Sequence, residues 1–117
     1  MLTRYQGGTK GPLIACHGLG TNSRMFKLTT VPKNFVEFFV CNEYDVWLLD
    51  SRQSTFCPWA SKLAKYSLDD VANYDYPAAV DFVLKETNQV SFPRGSFHKG
   101  ISHTWAVYQY NKFVIYQ

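Results

Sequence analysis

Several features that mark common classes of protein are missing from this sequence of 117 residues. Its three cysteines, Cys16, Cys41 and Cys57, form no C-x-x-C pair, so neither a disulfide framework nor a zinc site is indicated. The net charge of +3 is not gathered into a basic run, which argues against nucleic acid as a partner. No apolar stretch has the length of a membrane span, and no signal-peptide core is seen. These absences favour a cytoplasmic chain that binds no cofactor and no metal.

What is present is enough apolar sequence to bury a core. Hydrophobic residues make up 46% of the chain and aromatic residues 17%. Short apolar runs over 13–16 and 46–49 are bounded by turn residues and predict strands buried on both faces. Between them, Pro32 can open a helix with apolar residues at helical spacing. The pattern predicts an α/β fold built on a parallel β-α-β unit, with Cys16 and Cys41 buried.

The second half of the sequence begins with helix signals. Ser67 and Asp70 have the spacing of a capping box, and Asp75 before Pro77 predicts a second helix start. Asp69, Asp70 and Asp75 form a possible acid–base cluster, but their positions favour capping. The predicted buried face of the helix that ends near residue 88 comprises Ala78, Ala79, Phe82 and Val83.

A glycine-rich turn directly follows the first buried strand. The order Cys16-His17-Gly18-Leu19-Gly20 places glycines on both sides of Leu19. Glycine permits backbone conformations that leave an N–H group free, and such a group at a strand end can hold an anionic oxygen. Asp50 ends the second buried strand in a site-like position, although hydrogen bonding within the turn is the interpretation we favour.

Four ordered blocks, at 2–8, 11–20, 44–50 and 66–80, resemble the α/β-hydrolase superfamily. They are most similar to acid-lipase-like enzymes and to the hydrolase domains of cholesterol-oxidase-like flavoproteins. The resemblance implies a partial α/β-hydrolase fold, with a mostly parallel sheet and crossover helices. It assigns residues 1–89 to the N-terminal part of such a domain, and leaves 90–117 as a divergent tail, irregular or a β-hairpin with a turn at Asn111-Lys112.

The resemblance also implies roles for the turn. Leu19 would supply one backbone donor of the oxyanion hole, with His17, Gly18 and Gly20 as structural members of the loop. The chain departs from the family at Glu43 and Gln53, where relatives often have glycine. If position 43 is left-handed, glutamate there costs about 1 kcal/mol.

The nucleophile elbow of the family has no clear counterpart. After residue 89 the chain continues as Val90-Ser-Phe-Pro-Arg-Gly, and Pro93 is unfavourable in a central strand. The abrupt change suggests a shifted reading frame, a retained intron or an early stop. The catalytic acid and base of the family also have no counterpart, so we expect a lipase or esterase fragment that is inactive in this form.

Three alternatives remain open. The string Gly100-Ile-Ser102-His103-Thr104 could make Ser102 the nucleophile of a weak serine esterase. His98 and His103 could pair on a metal, but a spacing of five residues fits no common ligand pattern. The chain could also be a non-catalytic interaction module.

By resemblance, the ligand of this chain would be an ester with an apolar acyl chain or a sterol-like part. An unpaired edge on the 13–16 strand predicts self-association or aggregation, unless the tail strands cover that edge.

Overall fold

The computed structural model describes residues 1–57 and 65–90, together with the main chain of three strands between residues 97 and 116. It contains one mixed sheet with strand order β1-β3-β2-β4-β5-β6. The strands are β1 (Leu2–Tyr5), β2 (Pro12–Cys16), β3 (Asp45–Leu49), β4 (Phe97–Ile101), β5 (Thr104–Gln109) and β6 (Lys112–Tyr116).

The parallel part of the sheet is confined to its centre. β2 runs parallel to β3 on one side and to β4 on the other. β1 is antiparallel to β3, and the pairs β4–β5 and β5–β6 are antiparallel as well. The expectation of a mostly parallel sheet is therefore wrong, because the short connections around β5 reverse the chain and only the α1 crossover joins parallel neighbours directly.

Helices cover the sheet between these strands. A 3₁₀ helix spans Ser23–Lys27, between β2 and α1. Helix α1 (Phe35–Cys41) is capped by Asn34 rather than opened by Pro32, since Asn34 and Glu37 exchange the two hydrogen bonds of a capping box.

A longer helical segment follows in the second half. It consists of α2 (Leu68–Asp70), a π-helical turn (Val71–Asp75) and α3 (Tyr76–Glu86). Ser67 and Asp70 form the predicted capping box, but Asp75 does not cap α3. The helix does not restart there, because the backbone of Asp75 and of Tyr76 is already helical.

The core has two layers, one on each face of β2 and β3. Ile14, Cys16, Trp47 and Leu49 pack against the buried side chains of the second helical segment, which are Val71, Tyr76, Ala79, Val80 and Val83. The alternate residues of the two strands pack against Phe26 and Val36. Both faces of β2 and β3 are thus covered, as their continuous apolar runs predicted.

Some predicted burial is wrong. Ala78 and Phe82 were expected to face the core, but both are exposed and line a groove of about 920 Å³. The buried residues of α3 are Tyr76, Ala79, Val80 and Val83, which have the i, i+3, i+4 and i+7 spacing of one helix face, so the buried face is rotated from the expected one. Cys41, at the end of α1, is exposed, whereas Cys16 and Cys57 are buried.

Helix α1 ends in a Schellman motif with glutamate at the left-handed position. Glu43 has φ 68°, its N–H donates to Val40 O over 3.0 Å, and the Tyr44 N–H donates to Phe39 O over 3.0 Å. The Phe39 and Tyr44 rings meet edge to face with centroids 5.6 Å apart. Position 43 is therefore left-handed, which is the condition under which a glutamate there is costly.

The tail adds three strands to the edge of β2. Ile14, Ala15 and Cys16 pair with residues 97–99 of β4, so β2 has a neighbour on both sides. In the following hairpin Gln109 pairs with Lys112, which leaves residues 110–111 between the strands. The predicted Asn111-Lys112 turn is wrong at Lys112, which belongs to β6, and Asn111 lies outside the described residues.

Candidate functional site

The turn after β2 lies at the carboxyl end of the parallel strands. His17 and Gly18 are buried, while the side chain of Leu19 is 65% exposed. Gly20 adopts φ 75°, a left-handed conformation that a side chain would disfavour. The chain therefore passes from the core to the surface within these four residues.

The peptide between Gly18 and Leu19 has a fixed direction. His17 Nδ1 lies 2.8 Å from the Gly18 carbonyl oxygen, so this oxygen points toward a buried ring. In a trans peptide the next N–H points the opposite way, which directs the Leu19 N–H away from the His17 ring. Among the described residues, this N–H has no hydrogen-bond acceptor. The turn therefore presents a free backbone donor.

Asp50 holds the turn region in place from the end of β3. Its carboxylate accepts hydrogen bonds from Ser23 N over 2.9 Å, from Ser23 Oγ over 2.6 Å and from Ser54 Oγ over 2.6 Å. His17 Nε2 lies 3.8 Å from Asp50 Oδ1. Burial alone would raise the pKa of Asp50, but the hydrogen bonds from Ser23 and Ser54 outweigh it and lower the pKa. The preference for hydrogen bonding within the turn over a direct chemical role is in line with these contacts.

Comparison with curated proteins finds lipases. A probable lipase of Schizosaccharomyces pombe is 31% identical over 106 residues, which are 83% of this chain and 23% of that protein. The gastric triacylglycerol lipase of Bos taurus is 35% identical over 90 residues, 70% of this chain and 22% of the lipase. The human gastric triacylglycerol lipase is 33% identical over 90 residues, again 22% of its length. No protein-family model matches the sequence.

The chain belongs to the lipase-like α/β-hydrolases.

It spans about a quarter of the length of the curated relatives that it matches, with values of 23% and 26% for the two from Schizosaccharomyces pombe. The resemblance seen in the sequence is thereby confirmed at the level of the family.

In this lipase-like chain an ion pair connects the second helical segment to the loop after β3. Arg52 donates to Asp75 from its backbone N over 2.9 Å, from Nε over 3.0 Å and from Nη2 over 2.7 Å. The hydrogen bond with Asp75 raises the pKa of Arg52. Asp75 belongs to the π-helical turn, and a π turn redirects side chains relative to a regular helix. Asp75 is thus the ion-pair partner of Arg52, whereas Asp70 forms the capping box with Ser67.

Gln53, at which the resemblance implies a departure from the family, is buried. Its side chain is 6% exposed, and neither its amide oxygen nor its amide nitrogen has a hydrogen-bond partner among the described residues. The neighbouring Ser54 uses its hydroxyl on Asp50 instead. A buried amide without a hydrogen-bond partner costs free energy of folding.

The remaining candidates lie in the tail. Ser102 and His103 lie outside the described residues, and of His98 only the main chain in β4 is described. A catalytic serine, a histidine metal pair and their geometry therefore stay predictions. Within 1–57 and 65–90, no helix has the length and apolar character needed to cross a membrane.

Sequence reasoning missed two residues of the site. Ser23 and Ser54 donate hydrogen bonds to Asp50, yet they lie 27 and 4 residues from it in the sequence and share no motif with it. A polar residue that directly follows a buried strand was the available signal, and it identified Asp50 alone.

Proposed function

We propose that residues 17–20 form the oxyanion-binding turn of a lipase- or esterase-type ester hydrolase, with Leu19 N–H as the donor. The observation that supports this role is the direction of that N–H away from the His17 ring, which follows from the contact between His17 and the Gly18 carbonyl. The proposed substrates are esters with an apolar acyl chain or a sterol-like part. The name of the gastric relatives, triacylglycerol lipase, supports a lipid ester.

The chemistry of the turn is electrostatic. When a nucleophile attacks an ester carbonyl, negative charge develops on the carbonyl oxygen, and a backbone N–H placed in advance stabilises it. The buried carbonyl of Gly18 keeps this donor from rotating. Two donors normally share the oxygen, and the second comes from the residue after the nucleophile. The turn therefore supplies one half of the hole.

The proposed division of the chain into a hydrolase-like part and a divergent tail implies that the catalytic residues are incomplete. In this proposal residues 1–89 carry the hydrolase-like part with the turn, and residues 90–117 form the divergent tail that takes the place of the elbow. Covalent catalysis needs a nucleophile that a neighbouring base activates. We therefore expect no turnover by the chain itself unless the tail supplies that nucleophile.

One observation favours a second candidate, a weak serine esterase that uses Ser102. β4 runs parallel to β2 and pairs Lys99 with Cys16, so Gly100 and Ile101 continue past the end of the paired stretch toward the edge that carries the turn. Ile101 is the last residue of β4 and directly precedes Ser102 in the chain. Against it, β5 begins at Thr104 and runs antiparallel to β4, whereas an elbow leads from strand to helix.

A matched pair of variants tests the turn. Leu19→Pro removes the backbone N–H, whereas Leu19→Ala keeps it and removes only the exposed side chain. The probe is octylphosphonate, a tetrahedral anion with an apolar tail, and its binding is measured by calorimetry. A hydrogen bond to a charged group contributes about 1.5–3 kcal/mol, so Leu19→Pro should bind at least about tenfold more weakly. Equal binding by both variants would contradict the oxyanion role.

Labelling with a fluorophosphonate separates the two candidates. If the Ser102→Ala variant is not labelled and the Ser91→Ala variant still is, Ser102 is a reactive nucleophile. The absence of labelling, with octylphosphonate binding retained, would assign the chain the oxyanion half alone. A chain that neither binds the phosphonate nor reacts would instead support a non-catalytic interaction module.

A further inference from the structure

Each ring nitrogen of His17 faces an oxygen that only accepts hydrogen bonds. Nδ1 lies 2.8 Å from the Gly18 carbonyl oxygen, and Nε2 lies 3.8 Å from Asp50 Oδ1. Asp50 is ionised at neutral pH, since its hydrogen bonds lower its pKa. Nε2 has no hydrogen-bond partner among the described residues, although His17 is only 1% exposed.

The protonation of the ring determines whether both contacts are favourable. A neutral imidazole that donates from Nδ1 turns the lone pair of Nε2 toward a carboxylate, which is unfavourable in a buried place. An imidazolium donates from both nitrogens, so Nε2–H faces Asp50 as an ion pair. The separation of 3.8 Å is within ion-pair range and too long for a hydrogen bond.

No second charge competes with Asp50 for this ring in the described part of the chain. Ser23 and Ser54, from the 3₁₀ helix and the loop after β3, are neutral donors to Asp50. The Cys57 thiol lies 4.0 Å from Asp50 O, and burial raises the pKa of this thiol. Tyr76 packs with Cys16 on the helix side, and burial raises the pKa of Tyr76 too. Both groups are therefore uncharged near neutral pH.

We propose that His17 is a proton-dependent positioning residue. With a proton on both nitrogens, the ring joins the Gly18 carbonyl to Asp50 and fixes the direction of the Leu19 N–H. Loss of the Nε2 proton to solvent breaks the contact with Asp50, and the peptide between Gly18 and Leu19 gains freedom. The consequence for catalysis rests on the proposed function, but the coupling between the ring and the peptide does not.

Nuclear magnetic resonance of the full chain, labelled with ¹⁵N, tests the coupling. The ring nitrogens of His17 and the amide of Leu19 are followed together from about pH 5 to about pH 8. The Leu19 amide should shift with the same midpoint as the ring. Asp50→Asn removes the charge and should abolish most of this shift, while Asp69→Asn, an exposed carboxylate, should leave it unchanged. A Leu19 amide that ignores the ring, or that responds equally in Asp50→Asn, would overturn the proposal.

A second variant keeps the test valid if Asp50→Asn does not fold. His17→Asn places an amide N–H near the position of Nδ1 and titrates at no pH in this range. The pH-dependent shift of Leu19 should disappear in it, and a shift that persists would overturn the proposal. The readout does not depend on ester chemistry. If the chain fails to bind octylphosphonate but still shows the coupling between His17 and Leu19, the proposed function is contradicted and this inference stands.

Discussion

Replacement of Glu43 by glycine should stabilise the protein. Glu43 has φ 68° at the end of α1, where the Glu43 and Tyr44 N–H groups close the Schellman motif. A side chain in the left-handed region costs about 1–2 kcal/mol. Glycine loses more conformational entropy on folding, which offsets about 0.4–1 kcal/mol of the gain. The net stabilisation expected for Glu43→Gly is therefore about 0.5–1 kcal/mol.

Thermal and urea unfolding measure this change. A gain of 1 kcal/mol raises the melting temperature of a domain of this size by about 3–6 °C, so an increase of about 2–5 °C is expected. Glu43→Ala keeps both the Cβ atom and the strain, and should give no comparable gain. Asn88, with φ 53° after α3, provides an internal comparison. Because asparagine tolerates this region, Asn88→Gly should gain less. A destabilised Glu43→Gly, or equal gains at both sites, would refute the reasoning.

The remaining predictions concern the contacts around the site and the sheet edge. Arg52→Lys keeps the charge but loses the forked contact with Asp75, and should lower the free energy of unfolding in urea by about 1 kcal/mol. The pKa of Asp50 is lower in the folded state than its unfolded value of about 3.9. The ionised carboxylate therefore contributes its full stabilisation of the fold above the unfolded pKa, and this contribution is lost as the pH falls through the folded-state pKa. Acid titrations should show a difference in stability between wild type and Asp50→Asn that shrinks below about pH 4, and a constant difference would contradict this. Removal of residues 91–117 would free the edge of β2 that pairs with β4, and sedimentation should then show association; a monomer would contradict the role of that pairing.

The central strands were predictable because their signal is local. The apolar runs over 13–16 and 46–49 gave strands that the structure extends by one residue each, to Pro12 and Asp45. Turn residues bound both runs, and burial on both faces requires an uninterrupted apolar sequence. The capping box of Ser67 and Asp70 was predictable for the same reason, since both partners lie within one turn.

Interactions across the fold were not predictable. Asp75 has the composition and position of a helix cap, but its partner Arg52 lies 23 residues away, and the π-helical turn that brings them together has no sequence signal. Phe82 lies outside the face that α3 turns to the core, and the apolar pattern of the helix did not distinguish that face from its neighbour. The tail was predicted as a hairpin or irregular, yet β4 pairs with β2, a contact between residues 14–16 and 97–99 that no local pattern encodes.

The candidate site was predictable in outline only. The glycines beside Leu19 indicated a free donor, but its direction depends on the contact between His17 and the Gly18 carbonyl. Ser23 and Ser54, which hold Asp50, could not be identified from spacing.

The most direct test of the oxyanion role is the resonance of the Leu19 amide during a titration with octylphosphonate. Octanol, which carries the same tail without the anion, serves as the control ligand. If the Leu19 N–H is an oxyanion donor, its proton resonance should move downfield when the phosphonate is added, and by more than the resonances of the neighbouring amides. It should not move when octanol is added. A Leu19 amide that stays unmoved by the phosphonate, or that responds equally to the alcohol, would contradict the account.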